Sequence, residues 1–476
     1  MKGNLMYDTS VFSRRTADAI AASFRACLER AVAEPGVSVD ALDRHILAAR
    51  AESLVPCCLA LPLEVALSVV ARLCDVVGDG DSDDVAASAV PPLLGHAWRF
   101  LDQAVATEAA AGTVAASSDG GRSMIRNINI SDDSVMSYTD LEQQARALAA
   151  LLRHAASVVG SHGARPRVSV LGPNSSGILT IHFAAALVGG VVGNHNTHLV
   201  APELAYQLQR FEPHAIAIVD RGESLNVLAD AALALVDRQG SSTTSPLRIP
   251  VPWQASDILA LLTGGPEVSI SGGPEAFIDI SGGPEAFIDI SGTSRDVVDG
   301  FSPQDPYMLY FTSGTSGKPK GVMLTQDIVC RHAVGTTSEM RLHSEDVWLH
   351  AAPMFHLVDA FAIYAITAAA GQHVLQPSFE AAATLRVIER EGVTVMNMAS
   401  TMVALICASP TLGLMDLSSL RLVSCGGSPL AAAVVKRAIG AFGCEFFVSY
   451  GMTECCGKIS MSLLELAQRD NTNEVR

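Results

Sequence analysis

The residues best suited to chemistry form one dense string of glycines, hydroxyl side chains and lysines at 310–321. It reads Tyr-Phe-Thr-Ser-Gly-Thr-Ser-Gly-Lys-Pro-Lys-Gly and continues an apolar stretch. Glycines let the backbone fold closely and point successive N–H groups at an anion, while hydroxyls add donors and a lysine adds charge. Pro319 fixes the exit of the loop and keeps a helix from starting there. The string therefore predicts a loop that binds phosphate groups.

The Walker P-loop is the obvious alternative for a loop of this composition. That motif requires four residues between its two glycines and a Ser or Thr directly after its lysine. Here Gly314 and Gly317 are too close together, and Pro319 follows Lys318. The Walker interpretation is therefore excluded.

Three further strings follow in order along the chain. They are Pro-Met-Phe-His at 353–356, Cys-Gly-Gly-Ser-Pro-Leu at 425–430 and Ser-Tyr-Gly-Met-Thr-Glu at 449–454. Each has an ordinary structural interpretation. His356 alone suits a packed or helix-capping histidine, Pro429 suits the start of a helix, and the third string suits a loop with a buried tyrosine and a solvated glutamate. A functional interpretation of these strings rests on their occurring together along one chain.

Together the four strings resemble the AMP-forming acyl-adenylate family, which includes acyl-CoA ligases, luciferases and the adenylation domains of nonribosomal peptide synthetases. The family's phosphate loop reads roughly Thr-Ser-Gly-Thr-Thr-Gly-x-Pro-Lys-Gly, and this chain departs from it only at Ser316. The resemblance implies that the loop wraps the β- and γ-phosphates of ATP, with Lys320 also acting in catalysis. The implied loop residues are Thr312, Ser313, Gly314, Thr315, Ser316, Gly317 and Lys320.

The resemblance also assigns roles to the later strings. It places His356 beside the substrate carboxylate, Tyr450 against adenine, Thr453 at the α-phosphate and Glu454 on Mg²⁺. Magnesium prefers few carboxylates plus phosphate oxygens, and it would neutralise charge as pyrophosphate leaves. The remaining residues expected to contact the nucleotide are Gly427, Ser428, Pro429, Gly451 and Met452.

The elements around these strings alternate between apolar strands and amphipathic helices. Thr139 and Glu142 have the spacing of a capping box for the first regular helix. Pro202 lies at the start of another helix. Alternation of this kind favours parallel sheets flanked by helices. The predicted fold is the large α/β N-terminal domain of the acyl-adenylate-forming fold, with the small C-terminal domain absent. Strands are predicted at about 168–170, 215–219, 307–311, 347–351, 374–376, 393–396, 420–424 and 445–449, and helices at about 176–187, 357–370, 380–391 and 429–441.

The sequence predicts four regions with one insertion. Residues 1–45 resemble the closing segment of a peptide-synthetase condensation domain, and 46–136 form a helical and linker region. Residues 137–462 form an incomplete AMP-binding domain, and 463–476 form a polar tail. A ten-residue unit occurs identically at 271–280 and 281–290, within an insertion at 264–292. We interpret it as a duplication tolerated in a surface loop, with a binding role as the alternative.

The expected substrate is a fatty or aromatic carboxylic acid. Peptide-synthetase adenylation domains usually carry an aspartate that clamps the amino group just after a phenylalanine, whereas this chain has Phe355-His356 there, with Asp359 three residues further on. The acyl acceptor would be coenzyme A or the phosphopantetheine of a carrier protein. The chain ends 22 residues after Glu454, so we expect impaired adenylation and a missing C-terminal domain as partner. The alternatives are a non-catalytic nucleotide- and acyl-binding relative, or an amino-acid-activating fragment of a peptide synthetase.

Bulk properties exclude several other classes. The net charge of -17 argues against nucleic acid as a partner. The longest apolar run is shorter than the ~18 to 20 residues that a spanning helix needs, so no transmembrane segment is predicted, and no secretory signal is visible. None of the ten cysteines forms a C-x-x-C pair. Scattered thiols of this kind indicate a reduced, cytoplasmic location.

Overall fold

A computed structural model of the chain describes most of its C-terminal four fifths. The described residues are 96–114, 125–128, 134–159, 165–219, 224–238, 246–251, 301–312 and 318–464. All of them lie in one unit, Gly95–Arg476. Several predictions fall outside the described residues: the condensation-like segment, most of the linker region, the repeat insertion, the loop at 313–317 and the tail from 465 onward.

A six-stranded sheet forms the first half of the fold, in the order β6-β5-β3-β4-β7-β8. All neighbouring strands pair parallel except β7 and β8, which form an antiparallel pair. Strands such as Ala-Ile-Ala-Ile-Val are apolar throughout, as expected where helices cover both faces of a parallel sheet. The strands are β3 (Arg167–Leu171), β4 (Val191–His195), β5 (Ala215–Val219), β6 (Leu247–Val251), β7 (Pro306–Thr312) and β8 (Lys320–Thr325).

An eight-stranded sheet forms the second half, in the order β14-β13-β12-β11-β9-β10-β1-β2. Its six central strands run parallel, while β14 and β2 pair antiparallel at the two edges. The strands are β1 (Ile125–Asn127), β2 (Val135–Met136), β9 (Val347–His350), β10 (Gln372–Leu375), β11 (Val395–Ala399), β12 (Leu422–Gly426), β13 (Glu445–Met452) and β14 (Gly457–Leu464).

Helices connect the strands and cover the sheets. They are α1 (Trp98–Val114), α2 (Tyr138–Val159), α3 (Ser176–Leu187), α4 (Ala201–Phe211), α5 (Ser224–Arg238), α6 (Gln326–Glu339), α7 (Leu357–Ala360), α8 (Ala362–Ala368), α9 (Ala381–Glu391), α10 (Ser400–Ala408) and α11 (Ala432–Phe442), with short 3₁₀ turns at Leu412–Leu414 and Thr453–Cys455. Among the described residues, no helix combines the length and the apolar character needed to cross a membrane.

The main core joins the two sheets and includes a helix from the region that the sequence left as a linker. Trp98, Phe100 and Leu101 of α1 are buried with Tyr138 and Leu141 of α2 in one cluster. Full burial of a large apolar side chain stabilises a fold by roughly 1.5–3 kcal/mol. The helix at Trp98–Val114 is therefore held by the body that carries the predicted site.

The structure confirms the predicted α/β class, and each predicted strand overlaps an observed one. Two details differ. The predicted helix at 357–370 is two short helices, α7 and α8, which meet at Phe361. Part of the predicted polar tail is strand β14, which extends to Leu464 along β13. Its alternation of polar and apolar side chains suits an edge strand with one covered face.

The predicted capping box at Thr139 and Glu142 is wrong. The helix begins at Tyr138, so Ser137 is the capping residue: its Oγ accepts from Asp140 N at 2.9 Å, and Ser137 N donates to Asp140 Oδ2 at 3.0 Å. Thr139 N and Oγ1 instead donate to Glu108. The capping pair lies two residues earlier than the spacing suggested.

Candidate active site at the carboxyl edge of the larger sheet

The predicted phosphate loop connects β7 to β8. Thr312, the last residue of β7, pairs with Lys320, the first residue of β8, and residues 313–317 between them lie outside the described part of the chain. Tyr206 of α4 fixes the loop's exit, because its hydroxyl donates to Pro319 O at 3.3 Å and its ring lies 5.9 Å from Lys318 Nζ. The hairpin thus holds the two ends of the loop together, with Lys320 exposed.

His356 lies just after β9, at the residue preceding α7. Its backbone is extended, and its imidazole makes no capping hydrogen bond to that helix, so the simple capping interpretation does not hold. The residue is exposed, yet the surrounding protein removes part of its hydration and lowers its pKa below the usual histidine value. The imidazole is therefore neutral at neutral pH and stacks edge-on against Phe355, with the ring centroids 4.8 Å apart.

Asn174 positions the segment that leads to His356. Its side-chain amide donates to His350 O at 3.0 Å and Ala352 O at 2.9 Å, and its carbonyl accepts from Met354 N at 2.9 Å. The residue belongs to the turn after β3, so one buried amide links the two sheets directly beneath this segment. Its partners lie far along the chain, so this function could not be predicted from the sequence.

The turn at 426–430 depends on its two glycines. Gly427 has φ +85°, which favours glycine, and a Cβ on Gly426 would lie 2.4 Å from Ser449 Oγ. Ser428 and Pro429 are exposed. Helix α11 begins only at Ala432, so Pro429 is not its first residue. The turn presents bare backbone at the end of β12, where a flat ring can approach closely.

The third string forms the end of β13 and the turn that follows it. Tyr450 is 63% exposed, which is unusual for so large a ring. A Cβ on Gly451 would lie 1.9 Å from Gly457 O, so only glycine allows β13 and β14 to pass this closely. Thr453 and Glu454 lie on the 3₁₀ turn, where Glu454 is exposed. An exposed aromatic ring with an apolar face suits stacking on a ligand.

The fold brings the last three strings and the described ends of the glycine-rich loop to one region. Strands β9, β12 and β13 run parallel in one sheet, so the segments that follow them, which carry the last three strings, meet at its carboxyl edge. Ligands of open α/β sheets bind at this edge. Strand β8, which leads out of the glycine-rich loop, contacts the 3₁₀ turn Thr453–Cys455 that carries Glu454. The arrangement suits an anionic ligand that spans both sheets.

The family model for AMP-binding enzymes matches residues 114–475. The chain belongs to this family. It is 31% identical to a feruloyl-CoA synthase from Amycolatopsis sp over 324 residues, which are 67% of this chain and 55% of the relative. It is 28% identical to an indoleacetate–CoA ligase from Aromatoleum aromaticum over 320 residues, 65% of this chain and 54% of the relative. The chain thus spans about half the length of these curated relatives.

Solved structures of known proteins show the same fold as this chain. The inhibitor-bound N-terminal domain of FACL13 from Mycobacterium tuberculosis superposes with a TM-score of 0.57 at 20% identity, covering 79% of this chain and 81% of that domain. The anthranilate CoA ligase AuaEII, in complex with anthranoyl-AMP, gives a TM-score of 0.59 at 18% identity, covering 78% and 62%. The predicted fold, that of the large N-terminal domain of acyl-CoA ligases, is therefore confirmed.

The residues present fit a magnesium ion that arrives with a nucleotide. In the described part of the chain, no group of three or more His, Cys, Asp or Glu side chains is arranged to hold a metal. Magnesium in nucleotide sites uses one or two carboxylates and completes its shell with phosphate and water oxygens. The exposed carboxylate of Glu454 satisfies that requirement, and its role as a ligand remains a prediction.

A buried lysine at this edge did not emerge from the sequence. Lys458 follows Glu454 by four residues on β14, and its ammonium nitrogen contacts side-chain oxygens from β11 and β12. The signal that was available is the alternation of Lys458, Ser460 and Ser462 along a strand, which places these polar residues on one face. The sequence alone does not show that this face points into the protein at Lys458.

Proposed function

We propose that the chain binds ATP and a carboxylic acid without an α-amino group, and activates the acid as an acyl-adenylate. The observation that carries the proposal is the convergence of the glycine-rich hairpin and the edge of the larger sheet, through the contact between β8 and the turn Thr453–Cys455. The names of the relatives, a feruloyl-CoA synthase and an indoleacetate–CoA ligase, support an aromatic acid as substrate.

In the proposed reaction, a carboxylate oxygen of the acid attacks the α-phosphorus of ATP, and the bond to the bridging oxygen breaks to release pyrophosphate. Lys320 and the loop hydroxyls hold the departing phosphates, and Thr453 donates to the α-phosphate. Glu454 would hold a magnesium ion, which would supply positive charge for the leaving group. Tyr450 and the turn at Gly427, Ser428 and Pro429 hold the adenine, with Gly451 and Met452 shaping the strand end.

His356 is suited to orient the acid. Because its pKa is lowered, the imidazole is neutral near pH 7 and donates one hydrogen bond to a carboxylate oxygen without neutralising the nucleophile. Asp359 is not available for an amino group of the substrate. Its carboxylate is buried and accepts from Trp348 Nε1 at 3.1 Å and pairs with His350 Nδ1 at 3.0 Å. This geometry supports an acid without an α-amino group.

The proposal includes a second step and a domain division. Transfer of the acyl group to coenzyme A, or to the phosphopantetheine of a carrier protein, would follow adenylation. The AMP-binding domain would extend beyond the predicted 137–462 to include the helix Trp98–Val114 and the end of β14 at Leu464, with the insertion at 264–292. The thiols of Cys407, Cys425 and Cys456 are buried, which supports a reduced, intracellular location.

Acid-dependent exchange between ATP and pyrophosphate tests the proposal on the chain as it stands. The panel contains fatty, aromatic and amino acids, and ATP binding is measured on the same preparation. We expect exchange with aromatic or fatty acids and none with amino acids. Exchange only with an amino acid would contradict the proposed substrate class. ATP binding without exchange for any acid would contradict adenylation by this chain.

A further inference from the structure

Asp359 is a buried carboxylate within one helical turn of His356. Its side chain has no exposed surface, and it belongs to α7, the four-residue helix that begins directly after His356. Its Oδ1 accepts from Trp348 Nε1 at 3.1 Å, and its Oδ2 lies 3.0 Å from His350 Nδ1. Both partners belong to β9, so the carboxylate joins α7 to the strand that leads into the proposed site.

The backbone of the same residue contacts His356. Asp359 N donates to His356 O at 3.3 Å, and Ala360 N donates to the same oxygen at 3.2 Å. The imidazole of His356 makes no capping hydrogen bond to α7, so its position follows from the backbone that carries it. A helix of a single turn is not stable by itself. The placement of His356 therefore depends on the contacts that fix α7, and Asp359 links this helix both to β9 and to His356.

The hydrogen bonds beyond His350 determine where the protons lie. Thr367 Oγ1 donates to Ile363 O at 2.7 Å, so in its contact of 3.0 Å with His373 Nε2 the imidazole is the donor. Burial lowers the pKa of His373 well below the usual histidine value, so its other nitrogen, Nδ1, accepts. His350 Nε2, which lies 3.0 Å from that nitrogen, is therefore the donor. One proton then remains for the contact between His350 Nδ1 and Asp359 Oδ2.

This network ends in the interior, which argues against a proton relay to the ligand. Its far end is the carbonyl oxygen of Ile363, and the side chains of Asp359, His350, His373 and Thr367 are all buried. A buried ionisable pair adds little net stability, but it is costly to break. Such a pair therefore favours one arrangement of its two elements over others, and here these elements are α7 and β9.

We propose that Asp359 is a positioning residue, which holds the His356 imidazole where it binds the carboxylate of the acid. The inference rests on the function proposed above, in which His356 donates to that carboxylate. A hydrogen bond weakens steeply as its distance and angle depart from the optimum, so a small movement of α7 would weaken acid binding. The glycine-rich loop lies on the other sheet. The affinity for the acid, and not the affinity for ATP, therefore depends on Asp359.

A double-mutant cycle between Asp359 and His356 tests the proposal by calorimetric binding of cinnamate to the whole chain. The chain is first saturated with α,β-methylene ATP, an analogue that cannot release pyrophosphate, so that binding is measured without reaction. His356→Ala should weaken cinnamate binding about tenfold, as expected for the loss of a hydrogen bond to a charged group. Asp359→Ala should also weaken it about tenfold in the parent chain, but not further when His356 is already replaced, because residues that act through one another are not additive. The affinity for the ATP analogue should stay the same.

Asp359→Asn separates the hydrogen bonds from the charge. The amide oxygen can accept from Trp348 Nε1, and the amide nitrogen can donate to a neutral His350, so both bonds persist in a weaker form. We expect cinnamate affinity to fall only about threefold in this variant, and this loss should again be absent when His356 is replaced.

Thr394→Val is the matched control for a loss of stability without a loss of position. Thr394 Oγ1 donates to Asp346 Oδ1 at 2.8 Å and accepts from Val347 N at 2.9 Å. These contacts involve another buried aspartate, at the amino end of β9, whereas His350 lies at its carboxyl end. The variant should lower the free energy of unfolding and leave cinnamate affinity unchanged.

Three outcomes would overturn the role of Asp359. They are an unchanged cinnamate affinity in Asp359→Ala, the same loss with and without His356, and an equal loss in the Asn and Ala variants, which would mean that the charge acts rather than the bonds. If Asp359→Ala does not fold, the first two outcomes are read from Asp359→Asn in the same cycle. Coupling between the two residues without any acid-dependent exchange of ATP and pyrophosphate would contradict the proposed adenylation alone. Exchange without coupling would contradict the positioning role alone.

Discussion

Two buried polar clusters in this chain differ in charge and in position, and the difference separates stability from recognition. The interior cluster joins α3, β4, β7 and α8. His182 Nδ1 and the Tyr364 hydroxyl are 2.6 Å apart, His182 Nε2 and Asn194 Oδ1 are 3.1 Å apart, and the Tyr307 hydroxyl donates to His182 O at 2.7 Å. Burial lowers the pKa of His182 to about 4, so this cluster is neutral.

The edge cluster of Lys458, Asn397, Ser424 and Ser449 carries a charge and lies under the predicted site strings. Neutral hydrogen bonds in the interior mainly specify packing, because an unpaired partner is costly. A buried ammonium with neutral partners adds little stability by itself. Burial of polar groups alone therefore does not indicate function. What distinguishes the edge cluster is an ionisable lysine at the edge of the sheet where the ligand is proposed to bind.

Lys320→Ala should give the largest effect, a loss of ATP affinity without a loss of stability. Lys320 is exposed at the start of β8, so its removal should leave the free energy of unfolding within about 0.5 kcal/mol. The dissociation constant for ATP should rise about 10- to 100-fold, since a charged hydrogen bond to phosphate is lost. Calorimetric titration with ATP measures the effect, with Lys436→Ala as control. Unchanged ATP affinity would refute the role of Lys320.

Tyr364→Phe in the interior cluster should lower stability and leave ATP binding unchanged, which is the reverse of the result expected for Lys320→Ala. The substitution leaves His182 Nδ1 without the Tyr364 hydroxyl in a fully buried place, which should reduce the free energy of unfolding by about 1–2 kcal/mol. Urea unfolding measures it, and ATP affinity should not change. Tyr450→Phe is the matched control, because the Tyr450 side chain is 63% exposed and its loss of a hydroxyl should leave stability unchanged. Equal stability of the two variants would contradict the proposed difference between the interior cluster and the edge cluster.

Glu454→Gln should weaken ATP binding only when Mg²⁺ is present. The amide keeps the size of the side chain and removes the charge that Mg²⁺ prefers. The gain in ATP affinity on adding Mg²⁺ should fall about tenfold, while ATP affinity without Mg²⁺ stays the same. Titration of nucleotide with and without the metal measures both values. An equal Mg²⁺ dependence in the variant and the parent chain would remove Glu454 from the site.

The sequence predicted the fold class and the positions of eight strands along the chain because apolar strands alternating with helices admit few arrangements. The glycines of the site strings could also be predicted, since Gly427 and Gly451 occupy backbone positions that exclude a side chain. The edge strand β14 and the burial of the Lys458 ammonium could not be predicted from the sequence. An edge strand with polar residues resembles a loop, and the depth of a lysine depends on which strands neighbour it. Asn174 was missed for the same reason, as its partners lie about 180 residues away.

The pH dependence of stability should give the smallest effect and the sharpest comparison of the clusters. Burial lowers the pKa of Lys458 to about 7, although Asp359 of α7 and Cys425 of β12 act to raise it. Facing it from α6, His332 has a pKa of about 4 and stays neutral. Because the unfolded chain binds this lysine proton more tightly than the folded chain, the free energy of unfolding should rise by roughly 0.7 kcal/mol between about pH 6.5 and 7.5. His182 of the interior cluster is neutral throughout this range and should contribute nothing to the rise. Urea unfolding at each pH measures the effect, and Lys458→Met should lose it. The same rise in that variant would show that the charge of Lys458 does not set the pH dependence of the edge cluster.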